Sequence, residues 1–505
     1  MSIARSSLIV GLSSALSRLL GFVRDVLLAA ALGAGPAADA FLAAFRIPNL
    51  LRRVLGEGGL HPAIVPALTG APDAVERAGA ILGGAGLLVL ALTALAELGA
   101  GALVLVAGPG LVRNPEALAL ATDYTRLLLP LVASVTLASV LGAVLAAWRH
   151  FTAAALSSLI LNGALIAALI APAPPGLERA TWLAIAASLG GLVQLLVLAI
   201  AAPRAIPGLR WRRPAFEGRR FARLLLRALA AAATSAAVHL FLLAGAQAAS
   251  FLPSGLSWLH YAERLAQFPT SFVAVLAGIV LLPEMAAREA AGDRPALLGL
   301  QNAALHLALL VACPAAVGLA LLADPIAGIL FERGAFGPAD RVGTAAALVG
   351  LAPLVPAAAA GKVLAQTLYA AGVLRPAVIA TLAGFVVALA GGSALAPGLG
   401  ITGVALAVSA GGLLHAGLIA AALWARGLWK GAGLAARIGR IAAATLLMAL
   451  ALWALREMLP ASAVSLAFLC TAGTLLYGGL ALLCGAVPRD WRRFVRKAPD
   501  ARPAA

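Results

Sequence analysis

Charge is scarce in this sequence. Only 11% of its 505 residues are Asp, Glu, Lys or Arg, against about 25% in an ordinary soluble domain, and the deficit excludes a water-soluble globular class. Long hydrophilic segments are missing too. The longest, Arg204 to Arg223, falls far short of the ~50 residues a compact domain needs, so no soluble domain fits between the apolar runs. Cysteine is almost absent: Cys313, Cys470 and Cys484 each lie in an apolar run without metal-ligand spacing, which excludes a disulfide framework and leaves packing roles. Neither G-x-x-x-x-G-K-[ST] nor H-E-x-x-H occurs, the six histidines are scattered, and Lys362 is followed by Val363 inside an apolar run. No cofactor or metal is expected. Any transport would draw on a gradient or the membrane potential, not on nucleotide hydrolysis.

What is abundant is apolar length. Hydrophobic residues make up 62% of the chain, and runs of roughly 20 residues, enough to cross a hydrocarbon core as a helix, recur from end to end. The expected class is an all-α integral membrane protein. Gly/Pro clusters and charges punctuate about fourteen spans, at 6–33, 37–68, 78–107, 120–148, 152–172, 180–202, 221–248, 255–284, 297–323, 340–371, 375–396, 400–425, 435–457 and 461–486. A cleaved leader over Leu8–Leu32 is disfavoured because Arg18 and Arg24 interrupt its apolar stretch; the first span is expected to be retained.

The formal charge of +17 would suit nucleic acid only if the basic residues shared a soluble face. They lie between apolar runs instead. Arg204, Arg210, Arg212, Arg213, Arg219 and Arg220 follow the sixth span, Arg426, Lys430, Arg437 and Arg440 the twelfth, and Arg489, Arg492, Arg493, Arg496 and Lys497 the last. All follow even-numbered spans, so both termini are expected on the cytoplasmic side of a bacterial inner membrane. Two segments, FLAAFRIPNLLRRVL in the second span and WLHYAERLAQFPTSF in the eighth, align Arg46 with Arg264 and bring Pro66 and Pro283 within one residue of register. That suggests two six-helix lobes, 1–203 and 221–425, joined by a basic loop at 204–220. Two further helices at 426–488 and a basic tail at 489–505 complete the expected organisation.

A charged side chain at the bilayer centre costs roughly 2.5 to 3.5 kcal/mol, so the charges inside the spans demand partners or water. The first span carries Arg18, Arg24 and Asp25; the second Asp39, Arg46, Arg52, Arg53 and Glu57; the eighth Glu263 and Arg264. At about 100° per residue, Asp39, Arg46, Arg53 and Glu57 form one stripe. Ser257, Tyr261, Arg264, Gln267 and Ser271 form a polar face in steps of three and four, expected to line water, and His260 on that helix could titrate. His239 is expected to pack within its helix. The blander reading has Arg52 and Arg53 snorkelling to a membrane face and Arg18 with Asp25 forming a buried pair two turns apart. The surplus of cations over acids favours an anion-binding pocket, and a diphosphate suits the planar guanidinium fork.

The string SRLLGFVRDVLLAAALGAGPAADAFLAAFRIPNLLRRVLGEGGLHPAIVP resembles the opening of the MurJ (MviN) family of lipid II flippases, within the multidrug/oligosaccharidyl-lipid/polysaccharide (MOP) exporter superfamily. SWLHYAERLAQFP and LFERGAFGPAD also look like family segments, and the resemblance extends through at least two thirds of the chain. It implies two lobes around a cationic cavity, with a groove for the lipid tail on the last two helices. It implies a non-enzymatic carrier that moves lipid II from the cytoplasmic to the periplasmic leaflet for peptidoglycan synthesis. Its partners would be lipid II, membrane lipids and the cell-wall synthesis machinery. The family's essential cavity cations fall on Arg18, Arg24, Arg52 and Arg264, its supporting acid on Asp25, and further functional positions on Asp39 and Ser257. Two departures stand out. Gln267 replaces an acidic residue of many relatives, and the eleventh and twelfth spans lack the Asp or Asn of a sodium site, leaving the coupling ion open. Two alternatives are a flippase for another polyprenyl-diphosphate oligosaccharide and a multidrug exporter of the superfamily. The exporter would need an excess of cavity acids. A membrane enzyme is a third, but the short basic loops offer no carboxylate cluster.

Overall fold

A computed structural model describes residues 3–51, 60–212, 236–276, 294–429, 431 and 433–487. Among these residues the ordered backbone is helical. The first half comprises α1 (Ile3–Leu32), α2 (Pro36–Leu51), α3 (Leu60–Leu68), α4 (Ala74–Leu98), α5 (Ala100–Ala107), a 3-10 turn at Pro109–Arg113, α6 (Pro115–Ala147), α7 (Phe151–Ile170) and α8 (Arg179–Ala205). The second half comprises α9 (Ala237–Ala249), α10 (Gly255–Leu276), α11 (Arg294–Leu321), α12 (Ala323–Phe331), α13 (Pro338–Leu351), α14 (Leu354–Ala370) and α15 (Arg375–Ala425), followed by α16 (Leu434–Met458) and α17 (Ala463–Leu483). Among the described residues, nine helical stretches are long and apolar enough to cross a membrane.

Helix boundaries reflect local chemistry. Gly33 adopts φ 62° and ends α1, a left-handed conformation that costs glycine nothing. Asn114 caps α6 by accepting from the Ala117 N–H at 3.1 Å, with Pro115 in the first turn, where its missing N–H is harmless. The Ser462 hydroxyl does the same for α17 through the Ser465 N–H. Several expected spans are composite. The third breaks at Gly99 into α4 and α5, and the tenth breaks before Pro353 into α13 and α14. The eleventh and twelfth run together as α15 through a kink at Gly400, whose φ of 57° and ψ of −139° leave the helical region. The second is resolved as α2 and α3, with 52–59 between them outside the described residues.

Packing sorts the helices into two groups. In the first, α6 lies at the centre and touches α2, α3, α4, α5, α7 and α8; in the second, α15 packs on α9, α13 and α14, and α14 on α11. Helix α16 rests on α11 and carries α17. Close approach relies on small residues: a side chain at Gly190 would meet Ala164 at 2.8 Å, and one at Gly191 would meet Leu131 at 2.6 Å. Large apolar side chains such as Leu95, Leu98, Leu475 and Leu483 face outward, as lipid-facing surfaces require. The described start of the basic stretch after α8 is docked at Arg212. The Arg212 N–H donates to the Gly79 carbonyl at 3.2 Å, and its guanidinium meets Glu76 at 3.0 Å. The rest of that stretch, 213–220, lies outside the described residues.

Candidate functional site

The two helix groups meet along α2 and α10. Asp39 on α2 accepts from both the backbone N–H of Ser257 on α10, at 2.9 Å, and its hydroxyl. Seven residues further along α2 and six along α10, Arg46 pairs with Glu263 at 3.6 Å. The helices therefore run side by side in one direction. Seven residues advance an α-helix about 10 Å, so the junction has two levels roughly that far apart. The separation of Asp39 from Ser257 is 218 residues. Aligning Arg46 with Arg264 uses the same offset, so the two similar segments of the sequence face each other in the register of their resemblance.

The first level is a seal. Tyr261, fully buried, donates to the Gly33 carbonyl at 3.0 Å and packs against Phe331 and Phe336. The Ala335 N–H donates to the Ala30 carbonyl at 2.9 Å. Nearby, the Gly110 N–H reaches the Ser250 hydroxyl at 2.8 Å, Gln247 donates to the Val106 carbonyl at 2.7 Å, and Arg113 lies 4.9 Å from the centre of the Phe251 ring. The hydrogen bonds of this level and the Arg113–Phe251 contact all join the first helix group to the second.

The second level is ionic. One carboxylate, Asp25, serves two guanidiniums: Arg24 through Nε at 2.9 Å and Nη2 at 2.7 Å, and Arg264 through Nε at 3.0 Å. Arg24 also donates to the amide oxygen of Asn162 on α7 at 3.0 Å and lies over the Phe45 ring. Asn162 in turn donates to the Ser17 carbonyl at 3.1 Å, which fixes its orientation. Arg46 donates to the Leu242 carbonyl at 2.9 Å, and Glu263 accepts from the Gln267 amide at 2.6 Å. Arg24, Arg46 and Arg264 thus stand against Asp25 and Glu263, three cations to two acids, all shielded from solvent. Charge-assisted pairs are short and directional, as are the contacts of Asp25 with Arg24 and Arg264; the Arg46–Glu263 contact is longer.

The structure places the sequence-derived candidates unevenly. Arg24, Asp25, Arg46, Glu263, Arg264 and Gln267 come together. Asp39, Ser257 and Tyr261 form the seal, so the polar face of α10 does not line water throughout: Ser257 and Tyr261 are fully buried between helices. Arg18, paired with Asp25 only in the blander reading, is exposed, and Arg24 and Arg264 are the guanidiniums held by Asp25. His260 is buried with its ring centre 5.7 Å from that of Tyr261. His239 borders the same small cavity as Arg46 and Glu263 and is not confined to the packing of α9. Arg52, Arg53 and Glu57 lie outside the described residues, as does the Ser271 side chain. Sequence reasoning passed over Asn162; a lone Asn amid the apolar residues of the fifth span was the available signal.

A family model described as lipid II flippase MurJ matches residues 28–472. A "Probable lipid II flippase MurJ" of Rhizobium meliloti (strain 1021) is 33% identical over 500 residues, covering 95% of this chain and 92% of the relative. Another of Rhizobium tropici is 34% identical over 444 residues, covering 85% and 83%. The lipid II flippase MurJ of Burkholderia cenocepacia is 30% identical over 459 residues, covering 85% of each. Among solved structures, an inward closed conformation of the lipid II flippase MurJ superposes with a TM-score of 0.77 at 20% identity, over 97% of this chain and all of that one. An inward-facing multidrug resistance MATE transporter of the MOP superfamily gives 0.67 at 16% identity, over 81% and 94%. At such identities the structures establish the fold.

Proposed function

This chain belongs to the MurJ family of lipid II flippases, and from that membership we propose how it carries its cargo. It is a multi-pass membrane transporter whose substrate is lipid II. The observation that carries the mechanism is the buried set of three guanidiniums and two carboxylates at the meeting of two helix bundles. The lipid's diphosphate displaces part of the Asp25 and Glu263 pairing and takes bidentate bonds from Arg24 and Arg264, while the polyprenyl tail stays in lipid along α16 and α17, where Leu475 and Leu483 face outward. Because a buried cation left without its acid is costly, the anion enters as those pairs loosen and replaces one counter-charge with another.

Translocation is a rocking of α1–α8 against α9–α15. The Asp39–Ser257 and Tyr261–Gly33 level keeps one end shut while the headgroup loads from the other, and then parts. With the basic loops in the cytoplasm, the closed end is periplasmic, loading is cytoplasmic, and both termini lie inside. Each elementary charge moved through the field is worth roughly 2.3 kcal/mol per 100 mV, so the potential contributes to resetting the empty carrier.

The test is Arg264→Ala. In cells depleted of their native flippase, the variant is expected in the membrane at normal abundance without supporting growth, and labelled lipid II is expected to stay inaccessible to an external probe. Normal growth would overturn the proposed grip. Efficient competition by a different polyprenyl-diphosphate oligosaccharide would widen the cargo.

A further inference from the structure

Between α2 on one side and α9 and α10 on the other lies a cavity of about 30 Å³, bordered by Arg46, Asn49, His239, His260, Glu263 and Arg264. At about 10–15 Å³ per water centre it has room for a water molecule or two, not for a phosphate. Its lining is nonetheless densely ionisable. His260 and Glu263 are three residues apart on α10 and so share a face. Glu263 is incompletely matched: Gln267 holds one carboxylate oxygen at 2.6 Å, but Arg46 stands 3.6 Å from the other, beyond the usual ~2.7–2.9 Å of such contacts. His239 approaches from α9.

We infer that this cavity is a proton-binding site, in which His260, with His239 across from it and Glu263 as counter-charge, takes up a proton when the anionic headgroup docks. The inference rests on the flippase reading and adds the co-ligand that reading leaves unnamed. The proton passes from solvent through cavity water to an imidazole ring nitrogen; no other bond is made or broken.

Charge balance supplies the reason. Around the cavity, among the described residues, α1 presents Arg24 and Asp25, α2 presents Asp39 and Arg46, α9 presents His239, and α10 presents His260, Glu263 and Arg264. Beside Glu263, α14 contributes Leu354, Val355 and Ala358 to the lining of the adjoining space, and Lys362 lies one turn further along it. With neutral imidazoles, the three described guanidiniums are matched by the carboxylates of Asp25, Asp39 and Glu263. A diphosphate bonded to carbon at both ends brings one ionised oxygen on each phosphorus, which leaves that balanced set with an excess of negative charge. Net charge is penalised in a site removed from water, and a proton taken up there narrows the gap. Histidine is the side chain suited to accept it near neutral pH. A metal cation would not serve: two guanidiniums border the cavity, and no group of His, Cys, Asp and Glu among the described residues could hold a metal ion. Since α2 faces α9 and α10 across the cavity, opening the bundles exposes it, and the proton can exchange with solvent on the side then open.

The experiment is calorimetric titration of the full-length protein with lipid II in two buffers of different ionisation enthalpy, repeated between pH 6 and 8. The expected result is uptake of about one proton per lipid II bound, with affinity falling by up to about tenfold per pH unit as pH rises through this range. A His239→Gln/His260→Gln double variant is expected to bind with pH-independent affinity and without proton uptake. Binding by the natural chain without proton uptake overturns the inference and leaves the flippase reading standing, as does proton uptake that survives in the double variant. Failure to bind lipid II at any pH overturns both.

Discussion

Ser257→Ala tests the seal with least disturbance. Asp39 accepts two bonds from Ser257, one from the backbone N–H and one from the hydroxyl. Alanine keeps the first, loses the second and leaves almost no void. A hydrogen bond to a charged group contributes about 1.5–3 kcal/mol. Because this one joins the two helix groups, under the proposed rocking its loss falls on the closed state. The closed-to-open ratio should drop roughly 10- to 150-fold. The assay is labelling of Asn49→Cys, a residue bordering the inner cavity, in a background with Cys313, Cys470 and Cys484 replaced by serine. An impermeant maleimide is added from the side on which α1 ends. Labelling should accelerate in Ser257→Ala in proportion to the new open population, and Ser257→Thr, which keeps a hydroxyl, should stay close to the parent. An unchanged rate in Ser257→Ala, with the protein intact in the membrane, would refute the assignment of this contact to a gate.

Three further outcomes are expected from the same contacts. Asp25→Asn strips two buried guanidiniums of a shared counter-charge and should cost about 3–5 kcal/mol; adding Arg264→Gln should recover part of it, giving a non-additivity above ~0.5 kcal/mol in a double-mutant cycle read by denaturation of the purified protein. Gly334→Ala places a Cβ at φ 60° against the Ala30 carbonyl; it should lower thermal stability and raise labelling of the Asn49→Cys reporter, whereas Gly337→Ala, with open space around it, should change neither by much. Asn162→Ala frees one guanidinium nitrogen of Arg24 and should weaken lipid II binding by roughly 1–3 kcal/mol, measured by titration, without loss of protein from the membrane.

Residues 3–51 show how the two levels of information divide. Their order along the chain, apolar runs interrupted by Arg18, Arg24, Asp25, Asp39 and Arg46, was enough to expect two membrane helices carrying functional charge, because the cost of a bare charge in hydrocarbon leaves little else possible. Pro36 and Gly33 marked the turn between those helices. The repeat alignment of Arg46 with Arg264 even anticipated an offset that recurs in the contact between Asp39 and Ser257.

Partners were another matter. Helical spacing put Arg18 two turns from Asp25 on one face, yet Arg24 and Arg264 hold that carboxylate, and no periodicity within α1 could reveal a guanidinium arriving from a helix more than two hundred residues away. The polar stripe on α10 was visible, but its division into a dry seal at Ser257 and Tyr261 and an ionic level at Glu263 and Arg264 depends on which helix lies opposite each turn. The sequence by itself determined that the chain is a helical membrane protein and that charged groups sit inside its apolar runs, since both are sums over local composition. Which acid meets which cation, and where the two helix groups touch, only the tertiary structure decided, because those outcomes rest on distances of a few ångströms between helices remote in the chain.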